Sequence, residues 1–273
     1  MTEISVADAM SSGPRPKPLR GNTAWADRYA GELRDMVVSH ARRAPRSVQR
    51  HLGPSELGLA CDRQVVGKMA GQASTNHIHD PWASIMGTAG HAWMETALHD
   101  FNQSVGLRWL PERQVTDPNL PDNPGTGDAY DGWQRIVADW KFLGRTTLDK
   151  VRRDGPPQKY RVQLKIYGAG FAALGLPVER VVLVAFPRTE ATLDKLYVWE
   201  QEWRANDPEL LWVYERTPVR AQLAQAVTSG ALDLMQVPAT PSDDDCHFCP
   251  FYRSDATEAG YGCPGTKLLR GSR

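Results

Sequence analysis

Apolar residues first recur at helical spacing over Trp25, Tyr29, Leu33, Met36 and Val37, with His40 one turn on, which predicts a helix ending before Pro45. A turn and cap at residues 53–57 introduce a second helix that carries Cys61, Asp62 and Arg63 in its early turns and stops near Gly71. Pro81 opens a third, roughly 82–101, whose Gly87, Gly90 and alanines permit close packing on a sheet. Its His91 and Glu95 are four apart and share a face. Strand patterning then takes over: 107–115, a Pro-, Asn- and Asp-rich loop over 117–125, and strands at 127–130 and 134–141 around an Asp131-Gly132 turn. A helix over 158–174, β-branched strands at 180–186 and 196–200, and a helical segment opened by Asp207-Pro208 complete the pattern. Pro218 is expected to interrupt that segment before it resumes to Val227. No internal repeat is present. This element order predicts an α/β domain with a mixed central sheet flanked by helices.

Composition narrows the picture only a little. The 273 residues fit one large domain, or one domain with an appendage. The 32 basic and 32 acidic side chains cancel, which argues against a large nonspecific basic surface but leaves room for a local basic groove. No apolar run reaches the eighteen residues of a membrane span. Residues 1–22, rich in Pro, Ser and Gly and without an apolar stretch, read as a flexible leader rather than a secretory signal. The reading that follows is a reducing cytoplasm, where four cysteines suit metal ligation better than disulfides.

Candidate chemistry lies in two constellations. Asp128 on one strand and Asp139-Trp140-Lys141 on the next bring two hard carboxylates to one end of a hairpin, a donor set suited to Mg²⁺ or Mn²⁺. Asp139 and Lys141 alternate onto the same side of their strand, so one can hold metal while the other meets a phosphate or water. An Asp-x-Lys pair by itself is usually a solvated ion pair, and a lone helix histidine is usually a core residue. His91 upstream and Gln163 and Tyr167 downstream supply the wider context. The second constellation is Cys61, then Cys246-x-x-Cys249 and Cys263. Spacing alone leaves zinc and iron–sulfur both open.

In this order the residues resemble the RecB-like branch of the PD-(D/E)xK nucleases. That pattern is a helix histidine (His91), a glycine–aspartate strand (Gly125, Asp128), an Asp-x-Lys strand (Asp139, Lys141) and a Gln-x-x-x-Tyr helix (Gln163, Tyr167). The resemblance implies a restriction-endonuclease-like core over 23–240 with an N-terminal helical part, and a cysteine-rich segment, 241–273, closing onto Cys61. It implies metal ligation by His91, Asp128, Asp139 and the Trp140 backbone carbonyl, water positioning by Lys141, and support or DNA contact from Gln163 and Tyr167. Asp131 is a rival to Asp128, and Glu95 is either a partner of His91 or a surface charge. One cysteine before the nuclease motifs and three after them are similar to the iron–sulfur members: the CRISPR-associated Cas-four nucleases, AddB-type helicase–nucleases and phage exonucleases. In that likeness Cys61, Cys246, Cys249 and Cys263 ligate a [4Fe–4S] cluster.

The implied activity is metal-dependent DNA exonuclease cleavage, 5′→3′ on single strands or duplex ends, in recombination, repair or CRISPR adaptation. The implied partners are DNA and proteins of those processes, with no membrane, inside a bacterial, archaeal or phage-infected cell. Arg161 and Lys165 are candidate DNA-phosphate contacts, and Trp93, Trp133, Trp140, Tyr160 and Tyr167 candidates for base stacking. Two rivals are a catalytically silent nucleic-acid-binding module of the same fold and a zinc-stabilised structural protein.

Overall fold

The five strands that carry the candidate acids form one sheet in the order β1-β2-β3-β4-β5. They are β1 (Trp109–Val115), β2 (Gly125–Asp131), β3 (Ile136–Leu143), β4 (Arg180–Pro187) and β5 (Tyr197–Glu202). This computed structural model describes residues 24–43, 52–76, 80–256 and 262–266. The expected leader at 1–22, the basic stretch 46–50 and the loop histidines His77 and His79 lie outside them. The chain divides into two compact units, Met1–Ser47 and Val48–Arg273. In the first, α1 (Ala24–Arg43) forms where the apolar spacing predicts it, with Trp25 stacked on Tyr29 at 5.3 Å.

In the second unit β1, β2 and β3 are antiparallel, β3 and β4 parallel, and β4 and β5 antiparallel. A parallel pair needs a long crossover, supplied here by α5 (Arg145–Asp154) and α6 (Gln158–Ala173). Only α6 is legible in the sequence. Leu148 and Val151 are the buried positions of α5, too few to mark an apolar stripe. The preceding helices are α2 (Pro54–Leu57), α3 (Asp62–Met69) and α4 (Trp82–Val105). The following ones are α7 (Pro208–Thr228) and the short α8 (Asp243–Cys246).

Each sheet face has its own core. Tyr130, Val137, Leu183 and Ala185 pack against Leu164, Tyr167 and Phe171 of α6, whereas Ala129, Ala138, Trp140 and Val182 meet Leu98 of α4. The approach is close on both sides. A Cβ on Gly127 would stand 2.8 Å from the Phe171 ring, and one on Gly90 2.3 Å from the Phe142 ring. Gly90 therefore brings the helix turn bearing His91 against β3. The mixed sheet with helices on both faces is the architecture expected from the element order.

Three local expectations are corrected. Pro218 does not interrupt α7, which runs unbroken through it. Burial of Leu210, Val213, Arg220, Ala224 and Val227 outweighs the lost backbone hydrogen bond. Cys61 caps α3 rather than lying within it. Asp131 is a turn builder, not a second ligand. Its Oδ1 accepts the Trp133 and Gln134 N–H groups, and its Oδ2 accepts the Arg108 guanidinium at 2.5 Å.

Candidate active site

The site opens where β2 and β3 part. Their pairing ends at Ala129↔Ala138, so Asp128 and Asp139 sit one step beyond the last bonded pair. The Trp140 N–H finds its acceptor in the Asp128 side chain, Oδ2 at 2.6 Å. In a strand the N–H and C=O of one residue point to the same side, so the Trp140 carbonyl also faces this gap. Asp128 Oδ1 is left to face His91 Nδ1 at 3.3 Å.

Alternation along β3 places Asp139 and Lys141 together, with Lys141 Nζ 2.6 Å from Asp139 Oδ2. The contact is close but poorly directed, and both buried Asp139 oxygens lack a hydrogen-bond donor among the described residues. Buried polar atoms are nearly always satisfied, so a carboxylate in this condition fits a cation. Burial raises the Asp139 pKa to about 6, with Lys141 opposing and Asp128 adding to the rise. Behind Lys141, the Tyr167 hydroxyl accepts from Gln163 Nε2 at 3.1 Å. That bond turns the Gln163 amide oxygen toward Lys141 Nζ, 3.3 Å away. All six motif residues, His91, Asp128, Asp139, Lys141, Gln163 and Tyr167, therefore belong to one connected group.

One member escaped the sequence. Glu112 faces His91 Nδ1 at 3.8 Å, and His91, Glu112 and Asp128 offer ligand atoms all within 4.8 Å of one another. In the β1–β2 register Pro111 meets Ala129 and Arg113 meets Gly127, so Glu112 stands opposite Asp128. Its φ of 45° is left-handed, a conformation glutamate rarely adopts. An ordinary Glu in an ordinary strand offers no signal of this. Glu112, not Glu95, joins Asp128 beside His91.

Arg161 and Lys165 are not free to meet a phosphate. The Arg161 guanidinium is held by Glu209, with Nη2 2.5 Å from Oε1. Lys165, buried at 3 % side-chain exposure, bridges Asp207 at 2.8 Å and Glu209 at 2.7 Å, fastening α6 to the start of α7. Of the aromatic residues, Trp140 and Tyr167 are core, Trp93 and Trp133 are exposed, and Tyr160 lies beside Lys141.

The four cysteines are free and line one recess together with Arg63. The Cys61-Asp62-Arg63 tripeptide explains how distant parts of the chain meet there. Asp62 pairs with Arg216 and with the fully buried Arg220 on α7. Arg63 donates to the carbonyls of Val237 (3.0 Å) and Met235 (2.7 Å), and to Cys263 Sγ at 3.1 Å. The Ser242 N–H points at Cys246 Sγ, 3.4 Å away. Burial raises the thiol pKa of Cys246, and that of Cys249 to about 11.

No protein-family model matches the sequence, and no curated protein matches it. Solved structures do. An alkaline exonuclease from Laribacter hongkongensis aligns at 12 % identity and TM-score 0.46, covering 67 % of this chain and 91 % of its own. The protein SSO0001 aligns at 16 % identity and TM-score 0.45, covering 85 % and 97 %. A phage-related exonuclease from Haemophilus somnus 129PT aligns at 14 % identity and TM-score 0.38, covering 77 % and 91 %. These are loose likenesses, and the functional reading rests on the geometry of the site.

Two outcomes follow from the His91 corner. Burial alone lowers the imidazole pKa, but Asp128 and Glu112 together overcome it and raise it from 6.5 to about 9. The folded value exceeds the unfolded one, so the stabilisation is complete below about pH 6.5 and is lost as pH rises through about 9. Urea unfolding in the presence of a chelator is expected to show the wild type's advantage over His91→Gln shrinking across that window. Glu112→Gly relieves a strained φ worth about 1 kcal/mol, so above about pH 9, where His91 is neutral and its pairing with Glu112 no longer contributes, the chelated protein should melt about 2–4 °C higher. Calorimetry with Mn²⁺ should at the same time show weaker binding. A variant that melts lower would contradict the strain.

Proposed function

We propose that this chain is a divalent-metal-dependent DNA nuclease, acting as an exonuclease, 5′→3′ on single strands or duplex ends. The observation that carries the reading is the buried Asp139 carboxylate, met only by Lys141 among the described residues and within the electrostatic reach of Asp128 and His91. A structural ion pair would have no need of unsatisfied oxygens or of a second acid and a histidine close by. His91, Glu112 and Asp128 offer ligand atoms close enough to share an ion, and Asp139 and the Trp140 carbonyl would complete a donor set suited to Mg²⁺ or Mn²⁺. The metal would supply Lewis acidity at the scissile phosphate.

The chain's own groups do the rest. Lys141, restrained by Asp139 and Gln163, directs an ammonium at a phosphate oxygen or the attacking water. Tyr167 keeps the Gln163 amide turned to serve it. Asp128, bonded to the Trp140 N–H, holds β2 and β3 at a fixed separation.

We assign the four cysteines to a [4Fe–4S] cluster. All four line one recess, and hydrogen bonds from Arg63 and from the Ser242 N–H reach two of the sulfurs, which supports a thiolate-held metal centre. The choice of iron–sulfur over zinc rests on the resemblance. Polarity of digestion, a place in recombination, repair or CRISPR adaptation, and a cytoplasmic location complete the proposal, on the strength of the resemblance. The test is digestion of end-labelled single- and double-stranded DNA with Mg²⁺ or Mn²⁺. Metal-dependent release of nucleotides from 5′ ends supports the assignment, and binding without cleavage under every condition identifies a silent module instead.

A further inference from the structure

Lys141 has a neighbour that none of the sequence motifs contains. Asp139 faces its ammonium on one side and the Gln163 amide oxygen on another, and the Tyr160 ring lies 5.0 Å from Nζ to its centroid. Tyr160 occupies the first turn of α6, its N–H bonded to the Pro157 carbonyl at 2.9 Å, and packs on the sheet core. A second ammonium, that of Lys159, lies 5.6 Å from the same ring. Two cations competing for one ring would repel each other. Lys159, however, is paired with Asp245 at 2.8 Å, and Asp245 immediately precedes Cys246.

We propose that Tyr160 is a positioning residue for Lys141, and that the Lys159–Asp245 ion pair makes its placement depend on the cysteine-bearing segment. The proposal deepens the nuclease reading and rests on it. An ammonium withdrawn from water recovers part of its lost hydration from the negative face of an aromatic ring. Asp245 neutralises the second cation, leaving the ring to Lys141. Asp139 and Gln163 still hold the lysine, so losing the ring lets the ammonium swing without removing it. The expected loss is in turnover rather than in DNA affinity.

The experiment has two independent readouts. In chelated protein, NMR of ¹³C-labelled lysines, with Lys141 assigned by Lys141→Arg, should show its ε-methylene shifted upfield by the ring current. Tyr160→Leu should abolish that shift and lower kcat about two- to thirtyfold, the span of cation–π contacts from exposed to desolvated, with KM for DNA unchanged. Tyr160→Phe should restore both. Asp245→Asn should move both part-way in the same direction. If Tyr160→Leu does not give a cooperative melt, Tyr160→Met preserves bulk without a ring and is read in its place.

The proposal is overturned if the ringless variant keeps the wild-type kcat, or if Tyr160→Phe is as impaired as Tyr160→Leu. A wild-type chain that shows the upfield shift but cleaves no DNA would sink the nuclease reading while leaving the Tyr160–Lys141 contact standing.

Discussion

Asp139→Asn is expected to lower DNA cleavage by on the order of 10³-fold, the scale on which single preorganised charges act in such sites. The substitution keeps the shape and removes a buried carboxylate that only Lys141 meets among the described residues. Mn²⁺ binding by calorimetry should weaken in parallel, with a cooperative melt retained, since Lys141 keeps the Gln163 amide oxygen as partner. The carboxylate also leaves a signature in the metal-free fold. Its folded pKa of about 6 lies above the ordinary 3.8, so the folded state holds the proton more tightly. Stability from this group therefore falls as pH rises from about 4 to about 6, and Asp139→Asn should lack that slope. A variant that cleaves at the wild-type rate would remove Asp139 from the chemistry.

Cys249→Ser is expected to strip the cysteine centre and soften the fold around it. Cys249 and Cys263 are buried in a core with Val66, Val227, Leu234 and Phe251, and so belong to the packing whether or not a metal is bound. Around them the chain closes over long separations: Arg63 to Val237 and Met235, and Asn76 to the Cys249 carbonyl. A centre holding four thiolates contributes its binding energy to that closure. Its loss should lower the melting temperature by about 10 °C, corresponding to a few kcal/mol in a domain of this size. Wild-type protein purified without oxygen should absorb near 400 nm and carry about four irons and four sulfides per chain. Cys249→Ser should show neither. Stoichiometric zinc and a colourless wild type would refute the cluster and favour the zinc-stabilised reading for this half of the molecule.

Residues that act through local spacing were visible in advance. Asp139 and Lys141 share a strand face because β alternation has period two, and Gln163 and Tyr167 share a helix face because they are four apart. Arg161 and Lys165 share that helical spacing and look equally available. Their partners Asp207 and Glu209 arrive from a segment more than forty residues away, and opposite charge draws them into a buried staple. Asp131 went the same way, because a turn aspartate next to Arg108 is spent on the turn. Pro218 misled for the opposite reason, since a local penalty was overridden by the apolar surface α7 buries.

By itself the sequence determined the succession of strands, the mixed sheet and the longer helices except α5, because periodicity and short-range spacing are properties of neighbouring side chains. Tertiary structure decided what the motif residues face. The parting of β2 and β3 turned a strand N–H toward Asp128, the left-handed backbone at Glu112 delivered an extra carboxylate to His91, and crossover packing set Tyr160 against Lys141. Each depends on where strand pairing stops and which surfaces are buried together, balances struck across the whole domain that no local pattern records.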